Sequence, residues 1–262
     1  MNGFLYIATG KKYIDEAEQS ALSLLKVIPN AHISLVTDTE YKSDVFTNVI
    51  IEKIDLETKD WKDGLLYKIR GFSLSPYENT FFVDSDTYFC EDISSTFDLL
   101  DHFDLLVCKD YYDKEEIQIN EKCLVGYFPY NTGVVGFNSR PRTNRFISNW
   151  HSSFLENKTT MWSDQPAFMK ALAISDIKLH CLDSTYNFRF LNNVAFPDKE
   201  AIKIIHGRCS QDEFKGIEKK VNTHLSQRVW VASRRKCYSW EEKNFPLKLS
   251  YKIYSFLRKL LK

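Results

Sequence analysis

The chain has 262 residues, enough for one sizeable α/β core, and at 44% hydrophobic and 27% charged it has the composition of an ordinary globular protein. A formal net charge of zero, 35 Lys and Arg against 35 Asp and Glu, gives no electrostatic case for a nucleic-acid partner. The six cysteines are scattered with no Cys-x-x-Cys pair, which argues against a zinc ribbon and suits free thiols in a reducing, cytoplasmic setting. The first residues lack the basic start of a signal peptide, and no run approaches the ~20 apolar residues of a membrane span.

Residues 4–8 read as a first strand, Thr9-Gly10 as a turn, and residues 14–28 as a helix with Ala17, Ala21, Leu24, Leu25 and Ile28 on one face. Pro29-Asn30 ends that helix and residues 32–37 form a second strand, so the chain opens with a βαβ unit that favours parallel pairing and a right-handed crossover. A third strand is expected over 48–54, a helix over 64–74 and a buried strand over 80–83. Further strands fall at 104–108 and 133–137, and helices at 144–157 and 165–173, with a polar connection over 109–121 between them. Most of the aromatic residues belong to the core on this reading. The class is α/β, a Rossmann-like, mostly parallel mixed sheet flanked by helices.

The chemistry gathers around Asp84-Ser85-Asp86, which follows the apolar Thr80-Phe81-Phe82-Val83. Alternate residues of an extended chain point the same way, so Asp84 and Asp86 can grip one hard divalent cation at the rim of a sheet. The bland alternative is an acidic surface turn. Lys68 and Arg70 precede that strand, where a cation can reach a phosphate, or where each is simply a solvated helix charge; for Arg70 the solvated charge is preferred. Asn131-Thr132-Gly133 opens an apolar strand and offers an amide to a sugar hydroxyl, or is a turn. Asp164-Gln165 precedes a helix, and Asp164 alone reads equally well as its N-cap. His206-Gly207 follows the apolar residues 202–205, where a histidine can complete a metal site or serve structure alone.

Taken in order, these motifs resemble the glycogenin and lipooligosaccharide galactosyltransferase family of nucleotide-sugar enzymes. The resemblance covers residues 4–207 and implies a glycosyltransferase A-type fold. It implies that Ala8, Thr9 and Tyr13 hold the nucleotide base, that Lys68, Ser85, Gly133 and Gly207 line the donor site, and that Asp84, Asp86 and His206 ligate a metal. It further implies that Asn131, Asp164 and Gln165 orient or face the donor sugar. Manganese is the expected cofactor, with magnesium second. The expected donor is a nucleotide-diphosphate sugar, UDP-linked first, the acceptor a saccharide or lipid-linked molecule, and the outcome retention. The chain departs from the family pattern in two places. Gly10-Lys11-Lys12 stands where an acidic residue is usual, and the Lys-Pro-Trp usual after the late histidine is missing, which leaves Arg208, Lys215 and Lys219 as substitute phosphate contacts.

Two other classes fit parts of the pattern: a non-catalytic nucleotide-sugar-binding module, and an Asp-x-Asp phosphatase, although Tyr88 stands where such phosphatases want Thr or Val. One domain is expected over 1–230, then a basic tail over 231–262, since after Glu242 every charged residue is basic. Leu249, Ile253, Phe256, Leu257 and Leu260 share one helical face, and Lys248, Lys252, Lys259 and Lys262 another. Such a helix either docks on the domain or lies on an anionic membrane, which would place the protein peripherally at the inner face.

Overall fold

A computed structural model describes residues 1–53, 61–110, 117–119, 122–124 and 129–239. The polar connection after residue 109 lies largely outside these, and the amphipathic tail over 246–262 lies wholly outside them. Along the chain run β1 (Asn2–Ile7), α1 (Gly10–Val27), β2 (Ile33–Thr37), β3 (Asn48–Ile51), α2 (Trp61–Phe72), β4 (Asn79–Val83), β5 (Thr87–Phe89) and β6 (Leu105–Lys109). There follow β7 (Ile117–Ile119), β8 (Lys122–Leu124), β9 (Tyr130–Asn138), α3 (Pro141–Asn157), α4 (Gln165–Ala173) and β10 (Leu179–Leu182). The last elements are β11 (Phe188–Arg189), β12 (Val194–Phe196), β13 (Ile204–His206), α5 (Gln211–Asn222), β14 (Arg228–Val231) and β15 (Lys236–Ser239).

A seven-stranded sheet in the order β10-β6-β9-β4-β1-β2-β3 forms the centre. β1 pairs in parallel with both β2 and β4, so the opening βαβ unit forms as its periodicity predicts. The sheet is mixed because β9 runs antiparallel to both β4 and β6. Alternation along the strands fills two cores. Phe4, Tyr6, Phe81 and Val83 point to the α1 side, while Leu5, Phe82, Val135 and Phe137 point to the side covered by α2, α3 and α4. The second core is held by Trp150, whose ring meets Phe72 at 5.1 Å and Phe168 at 5.0 Å, both edge-on.

Beyond the carboxyl end of β4 the chain builds a smaller body. β13 lies between β11, parallel, and β5, antiparallel, and the hairpin β14–β15 pairs with β12. A third core of Phe188, Phe190, Phe214, Ile217 and Trp230 holds this part together. The hairpin continues through Ser239 and Cys237 is buried in that core, so the packed chain runs past residue 230 and the boundary expected there falls inside a hairpin. Cys90, Cys108, Cys181, Cys209 and Cys237 form no disulfide, and among the described residues no helix is long and apolar enough to cross a membrane.

Several bounds shift for local reasons. α3 starts at Pro141 rather than Asn144, since proline at the first turn forfeits no hydrogen bond. β9 extends back to Tyr130, and its pairing with β6 shifts register between Val107 and Cys108. That irregularity takes Thr132 and Gly133 out of the ladder with β6 and leaves them facing the site.

Candidate active site

The sheet ends and the smaller body enclose a cavity of about 760 Å³, within the range of small-molecule sites. Its lining includes Ala8, Thr9, Tyr13, Lys68, Asp84, Ser85, Asp86, Asn131, Gly133, Asp164, Gln165 and His206, so the structure brings together nearly every residue singled out in the sequence. Gly207 stands outside the lining, as do Arg70, Lys215 and Lys219. The φ of Gly207 is +135° and its N–H donates to the carbonyl of Asp86 at 2.9 Å. A side chain there would meet the Phe190 ring at 2.7 Å.

Asp84 leaves the end of β4, Asp86 precedes β5, and the β13–β5 register sets His206 opposite Thr87. His206 Nε2 therefore lies 3.6 Å from Asp84 Oδ2 and 3.4 Å from Asp86 Oδ1. One donor atom from each of the three residues falls within 4.8 Å of the others, the spacing of a mixed oxygen and nitrogen cation site. The backbone keeps this space open. A Cβ on Gly133 would stand 2.1 Å from His206 Cε1 and 2.7 Å from Asp84 Oδ2.

Lys68 comes from α2 and reaches between two carboxylates, 3.1 Å from Asp84 and 3.4 Å from Asp164. Burial disfavours its charge, yet Asp164 and Asp84 raise its pKa above the ordinary lysine value, so it stays protonated. Arg70, about half a turn away on the same helix, pairs with Glu52 at 2.8 Å and is half exposed, a surface charge as its neighbours suggest. Asp164 is 4% exposed and makes no side-chain cap to α4. Its carboxylate instead accepts from Thr132 at 2.8 Å, and its carbonyl accepts from Trp150 Nε1 at 3.1 Å. The helix-cap alternative for Asp164 therefore fails.

Asn131 is spent inside the protein. Its Oδ1 accepts from the Gly133 N–H at 2.9 Å and from Asn187 at 2.8 Å, and its amide donates to Asp110 at 2.9 Å. Gln165 donates to the same Asp110 oxygen at 2.8 Å. Asp110, Asn187, Arg189 and Asp38 were not found by sequence reasoning. Each stands far along the chain from the motif it serves, and only strand register makes them neighbours. Asp38, following β2, accepts from the Gly10 N–H at 3.1 Å and lines the cavity, which supplies a carboxylate beside the segment where the usual acidic residue is missing. The Tyr13 ring stands 42% exposed with the Arg208 guanidinium 5.4 Å from its centre, while Arg208 also bonds Glu16 at 3.0 Å.

A family model for the nucleotide-diphospho-sugar transferases matches residues 78–223, from β4 to the end of α5, and the chain belongs to that family. It is a glycosyltransferase, and the phosphatase alternative falls with this assignment. Among solved structures the fold is similar to the galactosyltransferase LgtC in complex with donor and acceptor sugar analogues, with 15% identity, a TM-score of 0.56, and coverage of 90% of this chain and 94% of LgtC. An active-site mutant of LgtC gives the same coverage and TM-score at 12% identity. The glycosyltransferase GlyE of Streptococcus pneumoniae TIGR4 is 15% identical with a TM-score of 0.55, and the match covers 95% of this chain but 62% of GlyE. At these identities the likeness is one of fold, the glycosyltransferase A type. No curated protein matches the chain by sequence.

Proposed function

We propose that this glycosyltransferase moves a sugar from a nucleotide-diphosphate sugar, UDP-linked first, to a saccharide or lipid-linked acceptor, with retention and with manganese as cofactor. The observation that carries the reading is the convergence of Asp84, Asp86 and His206 around a space that Gly133 leaves open, inside a cavity of nucleotide-sugar size. The three residues fit a divalent ion, which when bound would supply Lewis-acid charge to the diphosphate as the glycosidic bond breaks.

The other residues have roles that follow from where they stand. Tyr13, Ala8 and Thr9 line the end of the cavity assigned to the base, and Asp38 adds an acceptor there. Lys68 cannot act as an unpaired cation, because Asp84 and Asp164 already share its charge; it ties the metal-side carboxylate to the sugar-side one. Asp164, held by Lys68 and Thr132, orients donor hydroxyls without needing to move. Gln165, pinned through its amide to Asp110, keeps its carbonyl oxygen for the sugar face. An amide oxygen is a poor nucleophile, which favours attack from the face of the leaving group.

The test is a screen of UDP- and GDP-sugars for nucleotide release with manganese, repeated in chelator. One donor should stand out and its turnover should vanish with the metal; turnover that persists in chelator would overturn the metal reading. Binding of a nucleotide sugar with no turnover on any acceptor would favour the binding module. We further propose that the tail over 246–262 holds the protein on anionic membrane near lipid-linked acceptors, at about 1 kcal/mol per basic side chain. Equal sedimentation of the full chain and a truncation at Phe245 with anionic vesicles would sink that proposal.

A further inference from the structure

A hydrogen-bond chain beginning at the backbone decides which nitrogen of His206 carries its proton. The Gly133 N–H identifies Asn131 Oδ1 as an acceptor at 2.9 Å, so the Asn187 atom that bonds it at 2.8 Å is Nδ2. Asn187 then presents Oδ1 to His206 Nδ1 at 2.7 Å. Nδ1 carries the hydrogen, and Nε2 offers a lone pair toward Asp84 and Asp86.

That lone pair already has a partner. Parallel pairing of β11 with β13 sets Arg189 beside His206, and Arg189 Nη1 lies 3.0 Å from Nε2. The guanidinium lines the donor cavity, its Nε is buried with no hydrogen-bond partner, and among the described residues it has no carboxylate within ion-pair distance. An imidazole nitrogen is slight compensation for a guanidinium whose Nε is buried without a partner. A divalent ion and a guanidinium hydrogen cannot share one lone pair, so an ion bound to His206 must turn Arg189 away from it.

The chain lacks the Lys-Pro-Trp usual in the resembled family, and each substitute suggested by sequence is either outside the cavity lining or already matched by a carboxylate. Lys215 is exposed and paired with Asp212 at 3.3 Å, Lys219 lies on α5 away from the cavity lining, and Arg208 is matched by Glu16. Arg189 alone of these four combines a place in the cavity lining with no ion pair among the described residues.

We propose that Arg189 is this enzyme's diphosphate contact and that it alternates between two partners. Without cation it caps His206 Nε2; with cation and donor it turns to the diphosphate and neutralises charge on the leaving group. This rests on the nucleotide-sugar reading above. No covalent step is involved.

Calorimetric titration of the full chain and of Arg189→Gln and Arg189→Lys with three probes tests the idea: manganese alone, UDP with manganese, and uridine with manganese. In Arg189→Gln, manganese alone should bind several-fold more tightly, because its competitor at Nε2 is gone. UDP should bind on the order of 10- to 100-fold more weakly, the range for losing a hydrogen bond to a charged group, while uridine affinity stays unchanged. Arg189→Lys should recover part of the UDP affinity. Unchanged or weaker manganese binding, or unchanged UDP binding, in Arg189→Gln overturns the proposal. Parallel loss of uridine binding in both variants also overturns it, since that marks a structural residue. If the unaltered chain binds no UDP with manganese, the donor reading itself fails, whereas sound wild-type binding with unaltered variants removes Arg189 alone.

Discussion

At the residue scale, the site depends on what is missing as much as on what is present. Gly133 has no Cβ, and one there would stand where His206 and Asp84, two of the three candidate ligands, now lie. Gly133→Ala should keep the fold, because the backbone of β9 is ordinary there, yet push His206 off its position. We expect manganese affinity to fall by about 10- to 100-fold, the effect seen when the support of a ligand is removed, with an unchanged circular dichroism spectrum. Unaltered manganese affinity would mean that His206 is no ligand. Asp164→Ala asks a different question. With no side-chain cap to lose, the helix should suffer little, but Lys68 and Thr132 lose a shared partner. Turnover should drop by about 100-fold or more while UDP affinity stays within a few-fold, since the missing contact is to the sugar rather than to the nucleotide. An equal loss in both measurements would place Asp164 at the phosphates.

At the scale of elements, α5 shows how a terminus can be built from a readable signal. Ser210 accepts from the Glu213 N–H and Glu213 returns a bond to the Ser210 N–H, a complete capping box. Ser210→Ala should lower stability by about 1 kcal/mol, read as a lower midpoint in urea, without touching donor affinity. The Ser-x-x-Glu spacing was visible in the sequence and went unused there. The short strands β5, β11, β12 and β13 were harder to read, because two or three residues cannot display a period and owe their conformation to partners far along the chain. The opening βαβ unit was legible for the opposite reason, since its apolar spacing is long and local. The site divides the same way. Residues in motifs that flank a readable strand or helix, such as Asp84 or Asp164, could be found, whereas Asn187 and Asp110 act on other side chains and have no motif of their own. Beneath the start of α3, Asp104 accepts from the Lys178 N–H at 3.0 Å and from Arg142 at 3.1 Å. Burial would raise its carboxyl pKa, but Lys178, Arg142 and Asn138 hold it below the usual value. A folded pKa below the unfolded one contributes stability above about pH 4, and that contribution is lost as pH falls through the folded value. Asp104→Asn should thus cost about 1–3 kcal/mol at pH 7 and little in acid, with thermal melts from pH 7 to pH 3 as the measure. A constant difference across that range would remove the charge from the explanation.

At the scale of the molecule, the candidate metal site joins the large sheet to the small one, which shares Phe89 and Ile204 with the first core and packs its other face on the third. Asp84 continues β4 of the large sheet, whereas His206 belongs to the small sheet packed on Phe188, Phe214 and Trp230. Side chains already connect the two at the site: Asn187 bonds Asn131, and Arg208 bonds Glu16 of α1. An ion held from both sides therefore acts as a cross-link in the folded state that the unfolded chain cannot make. By mass action, manganese at ten times its dissociation constant adds about 1.4 kcal/mol. For a domain of this size that corresponds to a rise in Tm of roughly 3–6 °C. Asp86→Asn removes one ligand and one charge, so its melting curve should be insensitive to manganese while its Tm in chelator stays near that of the unaltered chain. The two measurements separate binding from folding: a variant that still gains stability from manganese would show that Asp86 does not hold the ion. A variant that melts early in chelator would show instead that Asp86 serves the fold.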